Sequence, residues 1–224
     1  MNDTHKKRVD GDGGGGAAGT EANGTAGGGD RGKLADVLLM REVASGNEAA
    51  FARLVDQHNA AVLNTCYRIL GNREDAEDAA LDVFVQVHRN AGSFRGESRL
   101  STWLYRISVN LSLNLLRKQR RDRYLGFLSL SEPVGKLAGH AVEAPESHRP
   151  DRELEVRERS RILDEALATL PDKQRAAIVL HKCERLSQQE IADVLEVTSA
   201  AVESLIHRAR QNLQKRLLRA LGES

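Results

Sequence analysis

The stretch SQQEIADVLEVTSAAVESLIHRAR, Ser187 to Arg210, decides the fold. Ser187-Gln-Gln-Glu190 has the spacing of a capping box, in which a serine caps a helix and a glutamate reaches back to the serine. Ile191, Ala192, Val194 and Leu195 then form the inner face of a short helix. Glu196 and Val197 fall in a turn, and Thr198 or Ser199 caps a second helix. The apolar stripe of that helix is Val202, Leu205, Ile206, Ala209 and Leu213. A short helix, a brief turn and a longer basic helix make the helix-turn-helix pattern. Its second helix would enter a major groove by its N-terminal half. Ala200, Glu203, Ser204, His207, Arg208 and Gln211 would then point outward. Helix pairs with this spacing are common, so the pattern alone does not decide for DNA. The basic run His207, Arg208, Arg210, Lys215, Arg216 and Arg219 favours it. Glu203 works against phosphate contact, yet a carboxylate can accept a hydrogen bond from a cytosine amino group.

The rest of the chain repeats the helical period. Leu154, Ile162, Leu163, Ala166, Leu167 and Leu170 line one helix, and Pro171 opens another carrying Ile178, Val179 and Leu180. Further upstream, Leu34, Val37, Leu38 and Arg41 mark a first short helix. Ser45 to Glu48 has capping-box spacing before a long helix that runs to a stop at Gly71. Asn72 is placed to cap an acidic helix with Leu81, Phe84, Val85 and Val87. Gly92 and Gly96 break the chain over Ala91 to Ser98, and Ser98 or Ser101 caps a last helix through Leu116. No stretch sustains a period of two. The sequence therefore predicts an all-α fold of two small helical domains, an N-terminal helical bundle over 33–122 and a C-terminal helix-turn-helix domain over 154–224. Residues 123–153, punctuated by Pro133, Gly135, Gly139, Pro145 and Pro150, read as a flexible linker. Residues 1–32 are Gly-rich and read as a disordered tail, because they bury too little apolar surface to offset ordering entropy.

A second signal lies in the first bundle. Phe94-Arg-Gly-Glu-Ser-Arg-Leu-Ser-Thr-Trp-Leu-Tyr-Arg106 gathers Phe94, Trp103 and Tyr105 in a chain with only 1 Trp, 3 Tyr and 4 Phe. Arg95, Arg99 and Arg106 interleave them, and Arg117, Lys118, Arg120, Arg121 and Arg123 follow. Aromatic faces stack on unpaired bases while basic side chains hold the phosphates. The net charge of +1 hides this asymmetry. Glu74, Asp75, Glu77, Asp78 and Asp82 form an acidic block suited to a basic protein partner or to a solvated helix face. Cys66 and Cys183 are the only cysteines, which argues against a disulfide framework and for a reducing compartment. No apolar run approaches the ~20 residues of a membrane span, and no signal peptide is expected. Neither a metal nor a cofactor is called for, and the chain does not read as an enzyme.

In this order, the motifs resemble the extracytoplasmic-function RNA polymerase sigma factors of the sigma-70 family. Asp75-Ala-Glu-Asp78 with Phe84, then Phe94-Arg-Gly-Glu-Ser98 and Thr102-Trp-Leu-Tyr-Arg-Ile107 with Asn110, look like the domain that binds core polymerase and reads the promoter minus-ten element. Leu170-Pro171, Leu186-Ser-Gln-Gln-Glu-Ile-Ala192, Val202 and His207-Arg-Ala-Arg210 look like the domain that reads the minus-thirty-five element. The resemblance implies that Asp75, Glu77, Asp78, Asp82 and Phe84 contact core RNA polymerase. It implies that Phe94, Arg95, Gly96, Glu97 and Ser98 capture a flipped base of promoter DNA. Trp103, Tyr105, Asn110, Asn114 and Arg117 would serve strand opening or the minus-ten contact, with packing the alternative for the two aromatics. Ser187, Ser199, Glu203, Ser204, His207 and Arg208 would face the minus-thirty-five element. It also implies a cytoplasmic protein, with an anti-sigma factor that clamps both domains, held at the inner membrane. The chain departs from the family at Leu81, where a glutamine is frequent, at Glu196, where a glycine is usual, and at Glu203, where a basic residue is frequent. Two rivals are a ligand-sensing helix-turn-helix regulator and a nuclease that binds metal through Glu74, Asp75, Glu77 and Asp78.

Overall fold

The computed structural model describes residues 26–129 and 150–222, and all of its regular elements are helical. Helices α1 (Ala26–Ala44), α2 (Glu48–Leu70), α3 (Arg73–Asn90) and α4 (Leu100–Ser129) form the first unit, with a 3-10 turn at Ala91–Ser93. Helices α5 (Pro150–Ala168), α6 (Asp172–Lys182), α7 (Gln188–Leu195) and α8 (Ser199–Gly222) form the second. The all-α reading holds.

Several boundaries follow from local chemistry. Gly71 ends α2 in the left-handed region, at φ 75°, and returns its N–H to the Tyr67 carbonyl at 2.7 Å. Asn72 then caps α3 by accepting from the Glu74 N–H at 2.9 Å. The capping box at Ser187 and Glu190 is formed in full. The box expected at Ser45 is not. Asn47 caps α2 through the Ala50 N–H, and the Ser45 hydroxyl turns back to donate to the Glu42 carbonyl at 2.7 Å. Asparagine is as good an N-cap as serine, and it stands one residue before the helix. The α4 cap is not local either: the Leu100 N–H goes to Asp36 of α1 at 3.0 Å.

Two ends reach further than the periodicity suggests. Helix α1 begins at Ala26, inside the expected tail, where the Gly-rich run has no apolar stripe to reveal it. Extending an existing helix avoids the cost of nucleation. Helix α4 runs on to Ser129, with Tyr124 and Leu125 exposed, so the stripe ends before the helix does. At its other end the expected linker meets α5, which already starts at Pro150. The remaining tail and linker, 1–25 and 130–149, lie outside the described residues.

The two units are not separate bodies here. Helix α2 packs on α5 and α6, and α4 on α6 and α7. One continuous core runs from Leu54, Ile69, Val83 and Leu104 to Leu180, Ile191 and Val202. Each Leu or Ile buried there contributes roughly 1.5–3 kcal/mol. Polar bonds cross the seam. Arg175, 5% exposed, donates to the Ile69 carbonyl at the end of α2 at 2.7 Å and to the Ala168 carbonyl at the end of α5. Arg120 pairs with Asp172 at 2.6 Å, Thr65 donates to Glu184 at 3.0 Å, and Thr102 donates to Glu190 at 3.3 Å. Apolar residues on both sides of the seam remove water from each other, and that burial explains the packing.

Candidate nucleic-acid interface

The first candidate face is the loop before α4 and the exposed side of α4. Phe94 and Trp103 are half-buried and pack ring to ring, with centroids 5.5 Å apart and planes tilted by 59°. Arg95, Glu97 and Arg99 are exposed around them, and Ser98 is half-buried. Gly96 adopts φ +73°, and a Cβ there would stand 2.5 Å from Val37 Cγ2. Only glycine fits both the backbone and the space. Asn110, Asn114 and Arg117 are exposed at helical spacing, and Arg117 donates to Asn114 Oδ1 at 2.8 Å.

Tyr105 is placed differently. Two residues along a helix turn a side chain to the other side. Tyr105 is buried against the second unit and bonded to Glu184, and burial together with that carboxylate pushes its phenol far above the ordinary range. In this arrangement it faces protein instead of a strand. Thus the structure brings Phe94 and Trp103 together and sets Tyr105 apart from them.

The second candidate face is α7 with α8. Helix α8 is capped by Thr198, which accepts from the Ala201 N–H at 3.2 Å. Ser199 instead donates to Gln189 at 2.9 Å and ties the two helices together. Val202, Ile206 and Ala209 are buried, which leaves Glu203, Ser204, His207 and Arg208 on the solvent side. His207 contacts Gln211 at 3.0 Å, and Arg210 contacts His181 at 3.1 Å. A shallow cavity of about 450 Å³ lies beside Glu203, Ser204 and His207. Ser187 sits at the start of α7, with its hydroxyl and N–H both bonded to Glu190. Glu196 takes the left-handed turn conformation, φ 53°, that a glycine would adopt freely.

The acidic helix is more mixed than its sequence suggests. Asp78 and Asp82 are exposed, but Glu77 is paired with Arg73 at 2.8 Å. Asp75 is half-buried and accepts from Gln119 of α4 at 2.9 Å. Phe84 is 5% exposed. What α2 and α3 offer instead is an apolar groove of about 650 Å³, lined by Phe51, Val55, Leu63, Leu81, Phe84 and Val85. Leu81 is 65% exposed and Val85 37% exposed. Phe51, Val55 and Leu63 look like ordinary core stripe in sequence, and Leu81 stands out there only as a departure. Two large apolar side chains on an acidic, solvent-facing helix were the available signal.

One buried and one half-buried side chain are absorbed by the fold. The Cys66 thiol, fully buried, is pushed up to about 11 by burial, despite the Ser108 and Ser112 hydroxyls beside it. It behaves as a small apolar group. His58 is lowered by burial, with Asp36 opposing. Among the described residues, no group of three or more His, Cys, Asp or Glu is arranged to hold a metal. No described helix is long and apolar enough to cross a membrane.

Comparison with known proteins points the same way for both halves. The family model for sigma-70 region 2 matches residues 54–122, and that for sigma-70 region 4 matches residues 160–213. The chain is 34% identical over 180 residues to the ECF RNA polymerase sigma factor SigW of Bacillus subtilis (strain 168), covering 80% of this chain and 94% of that protein. It is 32% identical over 187 residues to the ECF RNA polymerase sigma-E factor of Escherichia coli (strain K12), covering 83% and 95%. Among solved structures it resembles CnrH in complex with the cytosolic domain of CnrY. There the TM-score is 0.58 at 28% identity, covering 83% of this chain and 98% of that one.

Proposed function

Because this chain belongs to the extracytoplasmic-function sigma factors of the sigma-70 family, we infer how its two exposed faces divide the work of starting transcription. The protein is a sigma factor and not an enzyme. It binds core RNA polymerase, recognises promoter minus-ten and minus-thirty-five elements and promotes strand opening. The observation that carries the division of labour is the contrast in exposure. Glu203, Ser204, His207 and Arg208 protrude from a rigid helix, which suits the edges of paired bases. Phe94 and Trp103 sit half in and half out of the core, which suits stacking on unpaired ones.

The α2–α3 groove supports docking of an apolar helical surface of core polymerase, with Leu81 and Val85 exposed in its lining and Glu77 and Arg89 beside them. Opening needs no ATP in this reading. Unstacking costs a few kcal/mol per step, and stacking on an aromatic returns about 1–3 kcal/mol per base.

The closed packing carries a further consequence for that role. Two elements two helical turns apart are ~70 Å apart. Thr102 and Glu190, one on each reading unit, are 3.3 Å apart. Both units cannot read one promoter in this arrangement, so engagement goes with their separation. A partner that holds the units closed fits the same logic. The likeness to CnrH, solved in complex with the cytosolic domain of CnrY, supports a protein partner here, which we read as an anti-sigma factor. We place the protein in the cytoplasm, held at the inner membrane when such a partner is bound.

Run-off transcription with core polymerase on genomic fragments tests the whole reading. Selective starts should appear only when the chain is added, and Leu81→Asp should abolish them by blocking assembly with core. Starts that are equally unselective with and without the chain would sink it.

A further inference from the structure

The loop from Phe94 to Ser98 is held by a helix that the region 2 match does not include. Helix α1 meets the segment at its apex, Gly96, and at its two flanks, Gly92 and Leu100. Leu100, where the loop enters α4, donates its N–H to Asp36 Oδ2 at 3.0 Å, across 64 positions of sequence. Gly96, at the apex, lies so close to Val37 that even a Cβ would meet it at 2.5 Å. Gly92, at the start, lies 4.0 Å from the Ala44 methyl by the same measure. Asp36, Val37 and Ala44 all precede residue 54, where the match to region 2 begins.

The identity of the cap matters. Ser98 and Ser101 are the local residues that could cap α4. The Ser98 hydroxyl instead donates to the Arg99 carbonyl at 3.3 Å, and the helix end is satisfied from outside. A carboxylate at that position also complements the positive end of the α4 dipole. Glu97 and Ser98 are thereby not spent on the helix terminus. The left-handed turn at Gly96, φ +73°, sets the direction in which Phe94 approaches Trp103. Glycine does not fix that turn by itself, so the contacts from α1 must do so.

We propose that Asp36 is a positioning residue for base capture: it fixes the start of α4, and with it the geometry of the loop that receives a flipped base. This rests on the reading of Phe94 to Ser98 as that loop. Asp36 touches no DNA in the proposal. Without its carboxylate the Leu100 N–H turns to water, the loop pivots at Gly96, and Phe94 and Trp103 no longer present one fixed surface.

The test uses holoenzyme assembled from the full chain and core polymerase. The probes are forked promoter fragments carrying either the natural base or an abasic site at each non-template minus-ten position. The readout is the ratio of dissociation rates, abasic over natural. In the unmodified protein one position should give a large ratio. Asp36→Ala should cut that ratio about fivefold, in the range a lost cap produces, while the response to changes in the upstream element stays as it was. Asp36→Asn, whose amide oxygen still accepts a hydrogen bond, should retain most of it. A full ratio in Asp36→Ala holoenzyme overturns the proposal, whatever stability is lost. If Asp36→Ala does not fold, Asp36→Leu, which keeps the shape of the side chain without an acceptor for the Leu100 N–H, decides, and an unchanged ratio overturns it. A ratio near one at every position in the unmodified protein overturns the loop reading itself, and this proposal with it.

Discussion

The exposed side of α8 and the head of α4, the two faces proposed to read DNA, are built from different materials. On α8 the division is clean: Val202, Ile206 and Ala209 are buried, and Glu203, Ser204, His207 and Arg208 stand in solvent. Paired bases can be read by polar side chains on a rigid rod, so function and packing never compete for one residue. At the head of α4 they do compete. Phe94 and Trp103 are half-buried, and Tyr105 is taken by the core outright. A surface with the proposed task of stacking on bases has to be apolar, and the fold would otherwise bury it. Keeping it at the boundary takes special devices, among them a left-handed glycine and a cap borrowed from α1.

The largest effect is expected at Arg175, which ties together the two units that carry these faces. Arg175→Ala removes donors from two helix-terminal carbonyls, Ile69 and Ala168. A lost bond to a charged donor, with buried acceptors left unsatisfied, should cost about 3 kcal/mol. Urea unfolding should show both units weakened in one transition. Two separate transitions, with only the second unit weakened, would show that the seam does not couple them.

Trp103→Ala should come next. Losing one stacking platform removes about 1–3 kcal/mol. Open-complex formation on an intact duplex should slow by roughly tenfold or more, and on a pre-melted template far less. Equal loss on both templates would assign Trp103 to packing alone. Arg208→Ala should act in the opposite place, weakening the upstream element by about 1–3 kcal/mol with little change in melting. If Arg208 holds a phosphate, all sequences weaken alike and the salt slope falls by about one. If it reads a base, preference at one position relaxes.

Glu196→Gly is a smaller change with the opposite sign. A non-glycine residue in the left-handed region costs roughly 1–2 kcal/mol. Relieving it should raise the stability of the second unit by about 1 kcal/mol in thermal unfolding. No change would mean that the turn is less strained than its φ of 53° indicates.

Much of this was legible in sequence, and unevenly so. The α7–α8 pair could be read almost residue by residue because its signals are local: a capping box, a three-residue turn and one apolar stripe. The α4 stripe and the Gly71 and Asn72 boundary are local in the same way. What could not be read was long-range. Nothing in the spacing says that Asp36 caps a helix 64 residues away or that Tyr105 faces Glu184. The seam between the units was missed because its residues have two uses. Ile69, Leu104 and Leu180 each satisfy the core of their own unit, so periodicity gives no hint that the cores join. The apolar groove was missed for the converse reason: sequence shows which residues are apolar, not which are left uncovered.

The finest distinction between the two regions lies in the pH response of the carboxylates that join them. Burial alone would raise Glu190, but the Ser187 N–H and hydroxyl, the Thr102 hydroxyl and the nearby Arg99 charge together hold it below the ordinary value. A depressed carboxylate gives stability that is present above its unfolded value and lost as pH falls through the folded one. Asp164, facing Tyr67 of α2, is raised by burial, with Arg68 and the Tyr67 hydroxyl opposing. Its contribution has the reverse sign: it favours the closed form in acid and is lost as pH rises through the folded value. The α4–α7 contact should therefore loosen first on acidification while the α2–α5 contact holds. Thermal unfolding between about pH 3 and 6 should show Glu190→Gln flattening the acid-side loss and Asp164→Asn steepening it. The same slope in both variants would mean that neither carboxylate senses the seam, and the two contacts would then be chemically alike.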